Sequence, residues 1–144
     1  MYRCSQALCI LVALFAIPQF AFAAGDLSKQ DPVELTVNLG SQQNELSFSP
    51  KNLAFETGKL YKLILKNPSP QKHYFTSLGF AGSVWTIKVE DDSMEVKGSI
   101  TEIEVMPGKS AEWFFVPVQA GVFELYCRIP GHREGGMTGS IELK

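Results

Sequence analysis

From Tyr126 to Met137 the chain reads Tyr-Cys-Arg-Ile-Pro-Gly-His-Arg-Glu-Gly-Gly-Met, which sets Cys127, His132 and Met137 at even five-residue intervals. The only other histidine, His73, lies some fifty residues upstream. Taken singly, each has an ordinary reading. A lone cysteine is usually a small buried hydrophobe and a lone methionine a filler of core gaps. A fold that uses all four together must return a late loop onto a segment far back in the chain. The loop-closure entropy of that return grows only slowly with length. What constrains the fold is therefore the rigid placement of two distant segments.

Two imidazoles, one thiolate and one weak thioether make up the ligand set of a mononuclear blue-copper electron-transfer centre. Soft sulfur favours Cu(I) and imidazole suits either oxidation state, so a mixed shell holds both with little rearrangement. Zinc fits less well, because its structural sites prefer closely spaced cysteine pairs and do not usually employ methionine. The residues point to one copper ion held by His73, Cys127, His132 and Met137.

The amino terminus bears on where this happens. Residues 1–23 read as a secretory signal, with Arg3 in the charged region and Leu8 to Ile17 as the apolar core. Pro18 breaks that core, and Ala21-Phe22-Ala23 offers a small-x-small cleavage site. The apolar stretch is short for a membrane anchor, which needs about 20 residues. A lipoprotein signal would need small residues before Cys4 or Cys9, and Leu8 precedes Cys9. Both cysteines leave with the leader, so Cys127 has no partner for a disulfide despite an exported location. An unpaired thiol there is a liability unless a metal occupies it.

The expected mature chain, residues 24–144, suits one domain. It carries 12 basic and 15 acidic residues, a net charge of −3. That balance lacks the basic stripe expected of a nucleic-acid binder. Ala24 to Pro32 reads as a loose lead-in.

Apolar periodicity is that of strands almost throughout. Val33, Leu35, Val37 and Leu39 alternate with polar neighbours, as do Tyr61, Leu63 and Leu65. Further strands are expected over Val84–Val89, Ile100–Val105, Ala111–Val116, Gly121–Cys127 and Thr138–Leu143. Turn signals at Gly40-Ser41, Ser49-Pro50, Thr57-Gly58, Asn67-Pro68-Ser69-Pro70, Pro107-Gly108 and Gln119-Ala120-Gly121 separate them. No segment shows a convincing period of 3.6. The pattern is that of an all-β sandwich or barrel.

These features resemble the cupredoxins, the small blue-copper group of plastocyanin, azurin, auracyanin and rusticyanin. The likeness runs over roughly Val33 to Lys144 and is most specific over Leu63–Thr76 and Phe123–Leu143. The Cys-x4-His-x4-Met spacing is similar to that of rusticyanin and auracyanin, since plastocyanin has a shorter Cys-to-His interval. The resemblance implies a Greek-key β-sandwich with type 1 copper at one end. It also implies His73, Cys127 and His132 as equatorial ligands and Met137 as the long axial one. His73 would come from a strand-edge loop, with the other three on the loop joining the last two strands.

One departure from the family stands out. Members often carry Asn or Ser after the first histidine, and this chain has Tyr74. The backbone N–H there can still reach the sulfur. Asn67 is a candidate for tying the two ligand loops together, the alternative being a plain turn former before proline. Ser77–Ser99 reads as a solvated variable loop with Trp85 packed inward, the alternative being an added hairpin or flap that shapes docking or shields the metal. Phe80, Trp113, Phe114, Phe115 and Phe123 read as core. In this family the histidine of the cysteine loop lies in an apolar surface patch, here His132 framed by Ile129, Pro130, Gly131, Gly135 and Gly136. Arg128 and Arg133 flank it.

The expected function is an exported, non-enzymatic electron carrier cycling Cu(I) and Cu(II). It would act as a monomer between redox proteins such as cytochromes or membrane oxidoreductases. Its compartment would be the periplasm or another exported space, the thylakoid lumen included. Copper delivery or storage is the alternative, disfavoured because Met94 and Met106 fall on other elements. Nitrite reductases and multicopper oxidases need further histidines for a second centre, and this chain has two in all.

Overall fold

The computed structural model describes residues 25–144, so the expected leader lies outside them. Among the described residues, eleven strands form two sheets. The first holds β1 (Val33–Leu39), β2 (Phe48–Ser49), β4 (Tyr61–Lys66), β6 (Val84–Glu90), β7 (Glu95–Val96) and β9 (Ser110–Pro117), in the order β2-β1-β4-β9-β6-β7. The second holds β3 (Asn52–Phe55), β5 (His73–Thr76), β8 (Glu102–Val105), β10 (Gly121–Tyr126) and β11 (Thr138–Leu143), in the order β3-β11-β10-β5-β8. Pairing is antiparallel except where β1 meets β4 and β3 meets β11. The chain passes repeatedly from one sheet to the other, as a Greek-key sandwich does. The expected fold class is the one observed.

Alternation explains the core. In β4, Tyr61, Leu63 and Leu65 are buried while Lys62 and Lys66 face away. In β9, Ala111, Trp113 and Phe115 point inward on the same period. Their rings meet Phe55 of the opposite sheet and Phe80, with Phe55–Phe115 at 5.2 Å, Phe80–Trp113 at 5.3 Å and Trp113–Phe115 at 5.4 Å between centroids. Such pairs add about 0.5–1.5 kcal/mol each beyond area burial. This aromatic wedge holds the sheets in fixed relation, which the metal-bearing end requires.

Several expectations are corrected. Ser77–Ser99 is not a loop throughout: helix α1 (Leu78–Gly82) comes first, the strand expected over Val84–Val89 is β6, and β7 pairs back onto it as a hairpin. A five-residue helix is too short to show a 3.6 period, and that hid it. Trp85 is not packed inward but 47% exposed. The cause is a register shift between Thr86 and Lys88. Val84, Thr86 and Val89 face the core, so the bulge adds one residue between Thr86 and Val89. Trp85 and Lys88 are thereby left on the outer face. Phe114 is outward too, with the ammonium of Lys88 at 4.7 Å and that of Lys62 at 5.8 Å from its ring centroid. Phe123 is only partly buried. Phe80, Trp113 and Phe115 are core, as expected. The lead-in contains a short 3-10 turn, Leu27–Lys29, capped by Asp26.

Candidate metal centre

His73 is the first residue of β5 rather than part of a loop, and the strand period turns its ring inward with Phe75. Cys127 follows β10 and continues the inward phase of Leu125. Met137 immediately precedes β11. The intervening turn is closed by its own main chain. Cys127 N–H donates to the Met137 carbonyl at 3.1 Å, and Met137 N–H donates to that of His132 at 2.9 Å. His132 N–H in turn donates to the Ile129 carbonyl at 3.0 Å. Gly131 and Gly136, at φ +85° and +102°, supply the left-handed turns that the path needs.

The result is a convergent cluster. Cys127 Sγ lies 3.4 Å from His132 Nδ1 and 3.9 Å from His73 Nδ1. The three donor atoms lie within 4.8 Å of one another. The imidazole centroids are 5.1 Å apart, with planes inclined at 55°. His73, Cys127 and Met137 are fully buried, and His132 is 8% exposed. Met137 is thus part of the same buried end of the core.

The residues fit a copper ion on the structure's own terms. Metal bonds of about 2.0–2.3 Å to nitrogen and sulfur put neighbouring donors roughly 3.4–4 Å apart, and both sulfur–nitrogen separations fall there. Burial, aided by the neighbouring His132 imidazole, pushes the His73 pKa down to about 4. The ring is therefore neutral and ready to donate at physiological pH. Burial raises the Cys127 thiol, while the Ile129 main-chain amide works the other way. Metal binding must displace that thiol proton. Cys127 is a free, buried thiol. His73 Nε2 is buried without a hydrogen-bond partner, which leaves Nδ1 to define the ring's role.

Around the cluster, Tyr74 N–H donates to Cys127 Sγ at 3.4 Å, so the missing Asn or Ser side chain does not remove a donor to sulfur. Asn67, 1% exposed, has a different duty from the expected one. Its Nδ2 donates to the Gln71 and Val105 carbonyls, each at 2.8 Å, and its Oδ1 accepts from Ser69 N–H at 2.9 Å. It fastens the His73 segment to the end of β8 and does not reach the Cys127–Met137 loop. Arg128 pairs with Glu102, and Arg133 pairs with Glu124 at 2.5 Å. The Arg133 guanidinium also lies 4.8 Å from the Tyr126 ring centroid. Neither pairing was legible in the sequence, because the acids sit on strands, Glu102 on β8 and Glu124 on β10, while both arginines lie in the turn.

Sequence reasoning also passed over Gly40 and Leu46. Gly40 was legible only as a turn former. In the fold it abuts the His73 ring, while the Leu46 side chain packs against Gly135.

A two-sheet β-sandwich ending in a buried pair of imidazoles around one thiol defines a copper-binding protein. Residues 35–144 match the family of copper binding proteins described as the plastocyanin/azurin family. The chain belongs to that family. It is 25% identical over 104 residues to the copper-resistant cuproprotein CopI of Rubrivivax gelatinosus, a match covering 69% of this chain and 61% of that protein. Among solved structures, it superposes on auracyanin from Roseiflexus castenholzii with a TM-score of 0.56 at 18% identity, covering 77% of this chain and 96% of that one. A multicopper oxidase from Campylobacter jejuni gives 0.58 at 17% identity, covering 81% of this chain but 31% of the oxidase. At those identities the solved structures establish the fold.

Proposed function

We propose that this protein is a mononuclear blue-copper electron carrier that works outside the cytoplasm. The observation that carries this reading is the convergence of His73 Nδ1 and His132 Nδ1 on Cys127 Sγ at a buried end of the sandwich. His73, Cys127, His132 and Met137 would hold the copper, the two imidazoles and the thiolate as its main donors and the thioether as a weaker one. Bound copper supplies one-electron Cu(I)/Cu(II) chemistry. The protein's own part is to hold donors that suit both states in one geometry. Three features support that rigidity: strand placement of His73, the hydrogen-bonded chain Cys127–Met137–His132, and the Tyr74 N–H on the sulfur.

The electron leaves through His132, the ligand residue nearest the surface. The exposed Pro130, Gly131, Gly135 and Gly136 surround it. Small, weak interfaces suit rapid exchange between redox proteins. Residues 1–23 direct export and the mature domain begins at Ala24. The match covers 31% of the oxidase and this chain holds two histidines, so a carrier role fits better than a copper enzyme.

Copper delivery or sequestration is the second reading. The likeness to a protein named for copper resistance favours it. One titration separates the two. The copper-loaded domain is expected to show an intense thiolate-to-copper absorption that a mild reductant bleaches and an oxidant restores, with copper retained throughout. Loss of copper to a Cu(I) chelator on reduction would support delivery. In the Cys127→Ser variant the intense band should vanish, because a hydroxyl is a much poorer soft donor. An intensely coloured Cys127→Ser protein would sink the ligand assignment.

A further inference from the structure

The segment between β1 and β2, residues 40–47, crosses the metal-bearing end and touches both ligand-bearing segments. Its base is closed by Gly40 N–H donating to the Ser47 carbonyl at 2.8 Å. Its middle is anchored through Asn44 Oδ1, which accepts from Gln71 Nε2 at 2.8 Å and from Ser69 Oγ at 3.3 Å. Its far end lies on the other ligand loop. A β-carbon on Gly135 would come within 2.6 Å of the Leu46 side chain. At the near end the fit is also close. A β-carbon on Gly40 would stand 2.7 Å from His73 Nε2, 2.9 Å from Ser69 Cβ and 3.2 Å from His73 Cδ2.

We infer that Gly40 is a positioning residue for His73: its bare α-carbon forms the wall against which the imidazole rests, and so fixes the ring's tilt towards Cys127. The inference rests on the reading of His73 as a copper ligand. Two observations carry it independently of sequence pattern. Gly40 is buried and has φ +75°, so an L side chain there is strained whatever the space. The His73 Nε2 edge facing it is buried and has no hydrogen-bond partner. A metal-ligating histidine is ordinarily oriented by a hydrogen bond from its other ring nitrogen. Here no protein group accepts such a bond, and shape takes over that task. A side chain at position 40 must therefore push the ring, since Ser69, held by Asn67 and Asn44, blocks the alternative direction.

Left-handed strain and contact with the ring can be told apart. Gly58 has nearly the same dihedral, φ +78°, and nothing within 4 Å of its would-be β-carbon. Gly40→Ala and Gly58→Ala should therefore share the backbone penalty but not its effect on the metal. Both variants and the wild type are loaded with copper and compared by visible absorption and by electron paramagnetic resonance. The expected result is one copper per chain in all three, with a wild-type spectrum for Gly58→Ala. For Gly40→Ala the charge-transfer band should be displaced or weakened and the copper hyperfine splitting altered. A blue wild type whose Gly40→Ala spectra are unchanged overturns the inference alone. A wild type without the band overturns the copper reading, and this inference with it.

A second measurement needs no copper. In metal-free protein, a double-mutant cycle pairs Gly40→Ala with His73→Ala, each alone and together. If the ring is the obstacle, removing it should cut the Gly40→Ala loss in denaturation midpoint by roughly half or more. Should Gly40→Ala fail to fold on its own, folding of the double variant supports the inference. Failure of both, or equal losses in both backgrounds, overturns it.

Discussion

The main-chain N–H of Tyr74 donates to the sulfur of Cys127 at 3.4 Å, joining β5 to the residue that follows β10. The donor follows His73 directly. One strand end therefore supplies both an imidazole and a hydrogen bond to the thiol. A bond of this kind favours the state with more charge on sulfur, which is the reduced one. Tyr74→Pro removes the donor without removing a ligand. The reduction potential should fall by tens of millivolts, against ~59 mV for each tenfold change in a one-electron equilibrium. Redox titration beside the wild type decides it, and an unchanged or higher potential would count against the bond's role.

Met137 should tune the site rather than hold it together. The axial thioether of such centres is long and weak. Met137→Leu nearly conserves volume in a fully buried position, so the fold should survive at a cost below about 1.5 kcal/mol. Copper should be retained and the potential should rise, because the loss of a donor penalises Cu(II) more than Cu(I). Loss of copper from Met137→Leu would assign the methionine a stronger role.

Without metal, stability should depend on pH at both ends. His73 has its pKa lowered from 6.5 to about 4 in the fold. Below pH 6.5 the unfolded chain takes up a proton that the folded protein refuses until about pH 4. Stability is therefore lost as pH falls through that interval, by up to about 3 kcal/mol. The Cys127 thiol is raised by burial above its ordinary 9.0, so alkaline pH again favours the unfolded chain. Denaturation midpoints of the metal-free domain should peak between these limits. At neutral pH, copper uptake should release about one proton from Cys127, seen with an indicator in weak buffer. A flat profile from pH 6.5 to 4 would contradict the buried, neutral state of His73.

Charge beside His132 should steer small redox reagents. Arg133 is half-exposed, pairs with Glu124 and belongs to the ligand loop. Arg133→Glu should leave the copper spectrum unaltered. Its reaction with an anionic oxidant should slow several-fold and that with a cationic one should quicken, both effects fading as salt rises. Equal rates for the variant and the wild type at every salt concentration would place electron exit away from His132.

The sequence alone determined the ligand candidates and the strand-rich class. Soft and imidazole donors at fixed spacing carry their chemistry wherever the chain runs, and a period of two needs only local reading. Local reading fails where partners are remote. The inward phase of Thr86 and Val89 depends on a bulge, so Trp85 could not be placed from its neighbours. Asn67 could be seen as a polar residue before proline, but Val105, its partner 38 residues on, could not. The same holds for Arg128 with Glu102 and for Arg133 with Glu124. Gly40 shows the limit most sharply. As a residue it announced a turn; as a surface it became the wall behind His73, because packing of the 40–47 segment across the sandwich brought its α-carbon to the ring. Chemistry was written in residue types, whereas orientation came from contacts that only the closed pair of sheets creates.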